Sequence, residues 1–384
     1  METGIRQGFS TETDVRLAMR QIQAAIDQPN LSMVLFFCSP EYNLDLLAVE
    51  LNRAFSGIPV AGCTTAGEIG PNGYHERGIV AVSFSHSVCS AVCGYSSHLQ
   101  HYEPADGHTL ASRLLFELEN KTPDASAQNT FAFLIADGLS VREEVVARSI
   151  KEALGSIPLI GGSAGDGLNF RRTWVFANGS FRSDCAVLAL ISTPLPFLVF
   201  KAEHFVPTGE RWVITQADPS LRIVYEINGS PAAQEFARLA GVPVKALTPR
   251  HFATTPLAVY INGSFYIRSI QKVNPDDSVT FYCAIEEGVV LRVVRGLHLI
   301  ESLEDAFARI RSAIGPPLLV LACDCILRRM EIVERHIEPL VEQIFLHNSA
   351  IGFNTYGEIY DGIHINQTLT GIAIGAANPE VQVG

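Results

Sequence analysis

Gly62-Cys63-Thr64-Thr65-Ala66-Gly67-Glu68-Ile69 and Gly352-Phe353-Asn354-Thr355-Tyr356-Gly357-Glu358-Ile359 share one frame, Gly-x-x-Thr-x-Gly-Glu-Ile, and Gly161-Gly162-Ser163-Ala164-Gly165-Asp166 is a related turn between them. Each turn closes the same unit: a short apolar strand, a helix, a second strand, then glycines with a carboxylate at or near the end. An internal repeat of this kind decides the fold. Glycines at fixed offsets after a buried strand let the backbone turn sharply and expose N–H groups, a common way for α/β proteins to build a ligand-facing surface.

Reading outward from the first turn, residues 14–26 form an amphipathic helix, 33–38 a buried strand, 44–55 a helix, 58–61 a second strand and 78–84 a third. The second unit has strands at 130–136, 157–160 and 185–191 around a helix at 141–154. The third has a strand at 318–322, a helix over 332–345, residues 350–351 leading into its turn, and a strand at 368–374. Continuous apolar strands alternating with helices predict sheets covered by helices on their faces. Residues 195–315 differ, being strand-rich, with a strand region at 215–227, a short helix after Asn228-Gly229-Ser230-Pro231, a strong hairpin signal at Asn262-Gly263, and further strands at 279–284 and 289–294. The expected fold is therefore α/β in two domains. Residues 1–194 hold two repeated β-α-β units with glycine turns and helices on mixed sheets; residues 195–384 hold the strand-rich middle segment, whose sheet the third unit joins.

A chain of 384 residues with 47% apolar content can fill more than one core. Its formal net charge of −12, with Arg171-Arg172 and Arg328-Arg329 the only basic pairs, argues against nucleic acid and anionic membrane as partners. Residues 1–28 mix Glu2, Arg6, Glu12, Asp14, Arg16 and Arg20 with apolar residues, unlike a signal peptide, and no segment approaches a membrane span, so a cytoplasmic location is expected. Eight cysteines in apolar runs suit buried, reduced thiols better than disulfides.

The two Gly-x-x-Thr-x-Gly-Glu-Ile turns, with Asn366-Gln367-Thr368-Leu369-Thr370 after the second, resemble the signatures of FIST domains, N-terminal and C-terminal halves respectively, over nearly the whole chain. The segments beginning at Cys323-Asp324-Cys325, His364-Ile365-Asn366 and His204-Phe205-Val206 are similar to the NosP branch of that family, bacterial proteins that bind haem and sense nitric oxide. The resemblance implies a sensor that binds haem b non-covalently, responds to nitric oxide and signals to a histidine kinase or a cyclic-di-GMP synthase or phosphodiesterase. It also allows a homodimer. Covalent haem would need Cys-x-x-Cys-His, which the sequence lacks.

Non-covalent haem needs an axial donor, an apolar slot and cations for its propionates. His204, between the apolar run 197–200 and Phe205-Val206-Pro207, is the first axial candidate, the other reading being a core histidine bonded to a backbone carbonyl. His364 is the second, or else a hydrogen-bond partner of the third turn. His86, His98, His101 and His108 lie in a polar stretch and read as surface, and His336 and His347 as capping or solvent-facing. Arg328 and Arg329 could meet propionates or simply open an exposed helix, and Tyr356 could donate an oxygen, line a pocket or pack. Cys323 and Cys325 share a strand face but have no second pair at zinc spacing, so structural thiols are the better reading.

Two other readings remain open. A small-metabolite sensor of amino-acid type would cradle a carboxylate in the glycine turns and pair it with Arg268 or Arg329. A hydrolase would use Glu68, Asp166 and Glu358 as acid and base if the turns converge. No Walker loop or dinucleotide fingerprint accompanies those carboxylates.

Overall fold

The structure, a computed structural model, describes residues 4–261 and 264–376. Three copies of one unit run along it. The first comprises β1 (Ile5–Ser10), α1 (Val15–Ile26), β2 (Leu31–Cys38), α2 (Leu44–Ala54), β3 (Val60–Thr64), the hairpin β4 (Glu68–Gly70) and β5 (Gly73–His75), and β6 (Ile79–Ser85). The second repeats it with β7 (Ser90–Ser97), α3 (Pro104–Lys121), β8 (Thr130–Ala136), α4 (Glu143–Leu154), β9 (Leu159–Ser163), the hairpin β10 (Val175–Ala177) and β11 (Ser180–Arg182), and β12 (Cys185–Ser192).

The third unit opens with β13 (Phe197–Ala202) and is then interrupted by an insert. The insert contains β14 (Phe205–Asp218), β15 (Ile223–Ile227), β16 (Ser230–Pro231), α5 (Ala232–Ala240), α6 (Pro249–Thr254), β17 (Leu257–Ile261), β18 (Ser264–Arg268), β19 (Ile270–Val273), β20 (Val279–Phe281) and β21 (Val290–Gly296). The unit resumes with α7 (Leu299–Ile314), β22 (Pro317–Cys325), α8 (Ile326–Glu334), α9 (Glu338–His347), β23 (Ala350–Thr355), the hairpin β24 (Glu358–Tyr360) and β25 (Ile363–Ile365), and β26 (Leu369–Gly375).

Sequence patterning explains why each unit folds this way. In α1, Val15, Ala18, Met19, Ile22 and Ile26 recur on one face and are buried, and the Asp14 carboxylate caps the Leu17 N–H at 2.9 Å. In the central strands, alternate residues serve two cores. Met33, Leu35 and Phe37 of β2, Phe131, Phe133 and Ile135 of β8, and Leu319, Leu321 and Cys323 of β22 meet in one inner core, while Val34 and Phe36, Ala132 and Leu134, and Val320 and Ala322 pack beneath the helices of their own units. Strands buried on both faces read as unbroken apolar runs, and so they do here. In the inner core Phe37 stacks on Phe353 at 4.3 Å and meets Phe133 at 6.3 Å.

The units exchange hairpins in a cycle. The first sheet, β1-β6-β2-β3, is extended by β10-β11 of the second unit; the second, β7-β12-β8-β9, by β24-β25 of the third; the third, β13-β26-β22-β23, by β4-β5 of the first. In each sheet the first two strands of the β-α-β are parallel and the other pairings antiparallel, so the sheets are mixed. The parallel pairs come so close at the glycine turns that only hydrogen fits. A Cβ on Gly161 would lie 1.8 Å from the Leu134 carbonyl oxygen, and one on Gly352 1.8 Å from that of Ala322.

Two expectations change and a third is refined. The strand-rich segment forms a sheet of its own, β18-β17-β21-β14-β15-β20-β19 with β16 beside β15, around Trp212, Phe236, Phe252, Phe281 and Leu291, and the third unit does not join it. That unit's edge strand, β13, precedes the insert, so its sheet closes without it. The helix expected over 332–345 is two helices, because Pro339 cannot continue the turn pattern and His336 takes a left-handed φ of 55° at the break. The strand region at 215–227 resolves into the end of β14 and β15, joined by a turn in which Asp218 accepts the Ser220 and Leu221 N–H groups. The Asn262-Gly263 hairpin signal lies outside the described residues, and β17 and β18 on either side pair antiparallel. Among the described residues no helix is long and apolar enough to cross a membrane, which says nothing of strands.

Candidate functional site

The hairpin cycle brings the three glycine turns together, each tied to both others by backbone hydrogen bonds. Gly165 and Gly167 N–H groups donate to Thr64 and Thr65 carbonyls at 2.9 and 3.1 Å; Ala66 N–H donates to the Asn354 carbonyl at 3.0 Å and Asn354 N–H to that of Gly67 at 2.7 Å; Ser163 N–H donates to the Gly357 carbonyl at 2.9 Å. The ring satisfies its own donors. The amides of Ala66 and Gly167 thus have acceptors already, and Gly67 N–H finds the Thr65 hydroxyl at 3.3 Å, so the turns give the surface its shape rather than a free nest of N–H groups.

The carboxylates of the turns divide into two kinds. Glu68 and Glu358 are fully buried, and each accepts the hydroxyl of the threonine three residues earlier, Thr65 at 2.5 Å and Thr355 at 2.6 Å; Glu358 also takes the N–H (3.1 Å) and hydroxyl (2.8 Å) of Thr368. Burial pushes both up to about 8, with the threonine hydroxyls opposing it. Asp166 instead accepts the N–H groups of Phe170, Arg171 and Arg172 at 2.8, 2.8 and 2.9 Å, together with the Tyr356 hydroxyl. That arrangement folds residues 167–174 into a loop where the other two turns run straight into a hairpin strand.

Beside the ring, this loop, the end of β5, α6 of the insert and α8 enclose a cleft of about 540 Å³. Its apolar wall is Leu168, Ile326, Met330 and Val333, and turn residues Ala66, Gly67 and Asn354 border it. Most of its charges are already matched: Arg77 pairs with Glu41 at 3.0 Å, Arg250 with Glu334, and Glu331 with Arg335 at 2.6 Å. Arg329 is different. Its guanidinium lies 4.0 Å over the Tyr74 ring, its Nη1 is buried without a hydrogen-bond partner, and no described carboxylate pairs with it. His75, stacked on Phe9 at 4.0 Å, likewise has a buried Nε2 without a partner, and burial holds its imidazole below the ordinary histidine value. A larger groove of about 750 Å³ between the first two units has Arg113 as its one charged lining residue.

Of the residues singled out in the sequence, Arg329 lines this cleft. Arg328 does not open an exposed helix but is buried behind it, donating to Asp324 at 2.8 Å, whose other oxygen accepts the Tyr74 hydroxyl at 2.5 Å. Tyr356 sits in the ring with its hydroxyl committed to Asp166 and its ring stacked on Phe170 at 4.6 Å. His204 is buried beside Phe205, with Nε2 3.0 Å from both Glu331 oxygens rather than on a backbone carbonyl; burial lowers its pKa against the pull of that carboxylate. His364 is also buried, Nδ1 lying 3.3 Å from Glu144 and Nε2 against Gly357. Neither histidine lines the cleft, and Arg268 is spent on the His364 carbonyl at 3.0 Å. His86, His98, His101, His108, His336 and His347 are exposed. All eight cysteines are free, and among the described residues no group of three or more His, Cys, Asp or Glu is placed to hold a metal ion.

Sequence reading missed His75, Arg77, Met330 and the insert's Arg250 as neighbours of one cleft. They come from three separate places, the end of β5, α6 and α8, and no local pattern marks them. The one available signal was His75 lying seven residues after Glu68, just past the turn frame.

A family model described as the FIST N domain matches residues 32–230, and one described as the FIST C domain matches residues 232–361. The junction between them falls inside the insert, at β16. The chain is 22% identical to the uncharacterized protein MJ1623 of Methanocaldococcus jannaschii over 84% of its own length and 70% of the archaeal protein's. A solved structure of a cyanuric acid hydrolase aligns with 97% of this chain and 99% of its own at a TM-score of 0.35 and 9% identity.

Proposed function

Because the chain belongs to the FIST family, whose domains are sensory signalling domains, we propose that it is a ligand sensor and that its signal is a small organic anion bound in the cleft beside the turn ring. The observation that carries this reading is Arg329, a cation with a buried, unpartnered nitrogen in a cleft whose other arginines are matched. A carboxylate would supply the acceptor that Nη1 lacks, and Ile326, Met330 and Val333 would hold an apolar remainder. Since the cleft is walled by the insert's α6 on one side and α8 on the other, a ligand bridging them would bias how the insert sits on the core, which is the two-state element a sensor requires. The output would pass to a separate enzyme such as a histidine kinase or a cyclic-di-GMP enzyme. A thermal-shift panel of small carboxylates tests this: at least one raises Tm in the wild type and fails to do so in Arg329→Gln. A panel without response, or equal response in the variant, sinks it.

Haem with nitric oxide as the signal is the second reading. His204 as folded does not fit an axial ligand, its Nε2 being held by Glu331. The cleft suits haem better: His75 Nε2 is unpartnered, Met330 offers a thioether, the walls are apolar, and Arg77, Arg250 and Arg329 could meet propionates. Bound haem would supply the iron that captures nitric oxide. Protein produced with haem supply would then show a Soret band that nitric oxide moves and that His75→Ala alters more than His204→Ala; colourless protein after haem titration leaves the organic-anion reading alone. The hydrolase reading has the weakest support, since Glu68 and Glu358 are sealed by threonine hydroxyls and neither borders the cleft.

A further inference from the structure

The insert's sheet has one face packed on its own core, through Trp212, Ile214, Leu291 and Val293, and another that is partly open. Strand register fixes what the open face carries. Arg211 on β14 lies directly across from Arg292 on β21, and two residues along each strand, therefore on the same face, Val213 lies across from Val290. Tyr260 of β17, its ring 4.9 Å from Phe265, continues the apolar row. Val213, Val290 and Tyr260 are 40%, 42% and 54% exposed.

Two like charges directly opposite each other in an antiparallel pair destabilise the pair. Here nothing relieves them. Among the described residues neither the Arg211 nor the Arg292 side chain has a hydrogen bond or ion pair, and the neighbouring Glu210 is occupied by Trp212 Nε1 at 3.0 Å and Arg238 at 2.9 Å. A chain with a net charge of −12 could have offered carboxylates to these arginines and has not. Unpaired arginine beside exposed tyrosine is the composition of a binding hot spot rather than of a solvated sheet face, and the exposed valines add apolar area beside it.

We propose that this face docks an acidic segment of another protein, with alternating carboxylate and apolar side chains. Its carboxylates bridge Arg211 and Arg292, removing their repulsion, while its apolar residues cover Val213, Val290 and Tyr260. Nucleic acid is the less fitting polyanion, because the molecule's overall charge repels it at distance. The inference is independent of what the cleft binds.

Panning a display library of random ten-residue peptides on the full chain tests it. Enriched peptides carry Asp or Glu interleaved with apolar residues, bind more weakly as salt rises, and lose at least tenfold affinity to the double variant Arg211→Glu with Arg292→Glu. Arg211→Gln with Arg292→Gln gives a smaller loss and keeps the wild-type unfolding midpoint or raises it, since a repulsion has been removed, while the double glutamate variant, which exchanges one like-charge pair for another, keeps a midpoint close to wild type. No enrichment, enriched peptides without acidic residues, or equal binding by the double variant overturns the proposal. So does finding that the variants abolish binding of oligouridylate, or a dimer measured by sedimentation, in place of peptide binding.

Discussion

The first and third glycine turns differ from the second in what they do with their carboxylate. Glu68 and Glu358 turn inward onto a threonine and the chain proceeds at once into a hairpin strand, whereas Asp166 gathers three loop amides and delays the hairpin until Val175. Ala164 stands between Ser163 and Gly165 where the other two turns have Thr65 and Thr355, so the second unit has no hydroxyl there to hold a buried carboxyl. The result is functional asymmetry on a symmetric frame. The first and third turns keep their carboxylates sealed, and the second lends the loop residues Gly167, Leu168 and Asn169 to the cleft beside Ala66, Gly67 and Asn354. The cleft beside the ring opens where one copy departs from the shared pattern.

The strongest way to break this comparison is to challenge what the turns share. Gly352→Ala forces a Cβ to 1.8 Å from the Ala322 carbonyl oxygen and is expected to lower stability by about 3 kcal/mol or more, while Gly167→Ala in the open loop, with its nearest foreign atom at 3.8 Å, costs only about 1 kcal/mol for its positive φ. Urea midpoints compare the two, and similar losses would mean the close strand approach is not a shared constraint. Next in size, Asp166→Ala strips the acceptor from three loop amides and should cost about 2–3 kcal/mol, with faster amide exchange confined to residues 167–174. Uniform loosening of all three turns would contradict the separate role given to the second.

The closed turns have their own signature in pH. Glu68 and Glu358 titrate at about 8 in the folded chain against 4.5 for an ordinary glutamate. Between those values the native state holds protons that the unfolded chain has released, so stability falls as pH rises from about 4.5 to about 8 and levels off outside that window. Glu358→Gln, which keeps the shape without the charge, should reduce the downward slope by about 1 kcal/mol per pH unit near neutrality. Unfolding midpoints taken from pH 5 to 8 would refute this if variant and wild type ran parallel. Smallest of all, Tyr356→Phe removes one hydroxyl from Asp166 and should cost about 1 kcal/mol, measured the same way.

His204 shows how a correct reading of burial can stop short of a role. Flanking phenylalanines announced a buried imidazole, and the ring is buried; its partner, Glu331, lies 127 residues away on a different element, and only packing could disclose it. Arg328 and Arg329 make the same point as a pair. Adjacent in sequence, they diverge on the first turn of α8, one tied to Asp324 and the other left over Tyr74 facing the cleft.

What the chain's order of residues determined by itself was the unit and its threefold recurrence, because strand burial, helix periodicity and glycine requirements act over a few neighbouring residues and leave a local trace. The hairpin cycle, the insertion of a second sheet inside the third unit and the gathering of His75, Arg250 and Arg329 around one cleft were decided by tertiary structure. Those juxtapositions depend on which edges and faces find each other across hundreds of residues, and contact energies of that range are not written into any short stretch of sequence.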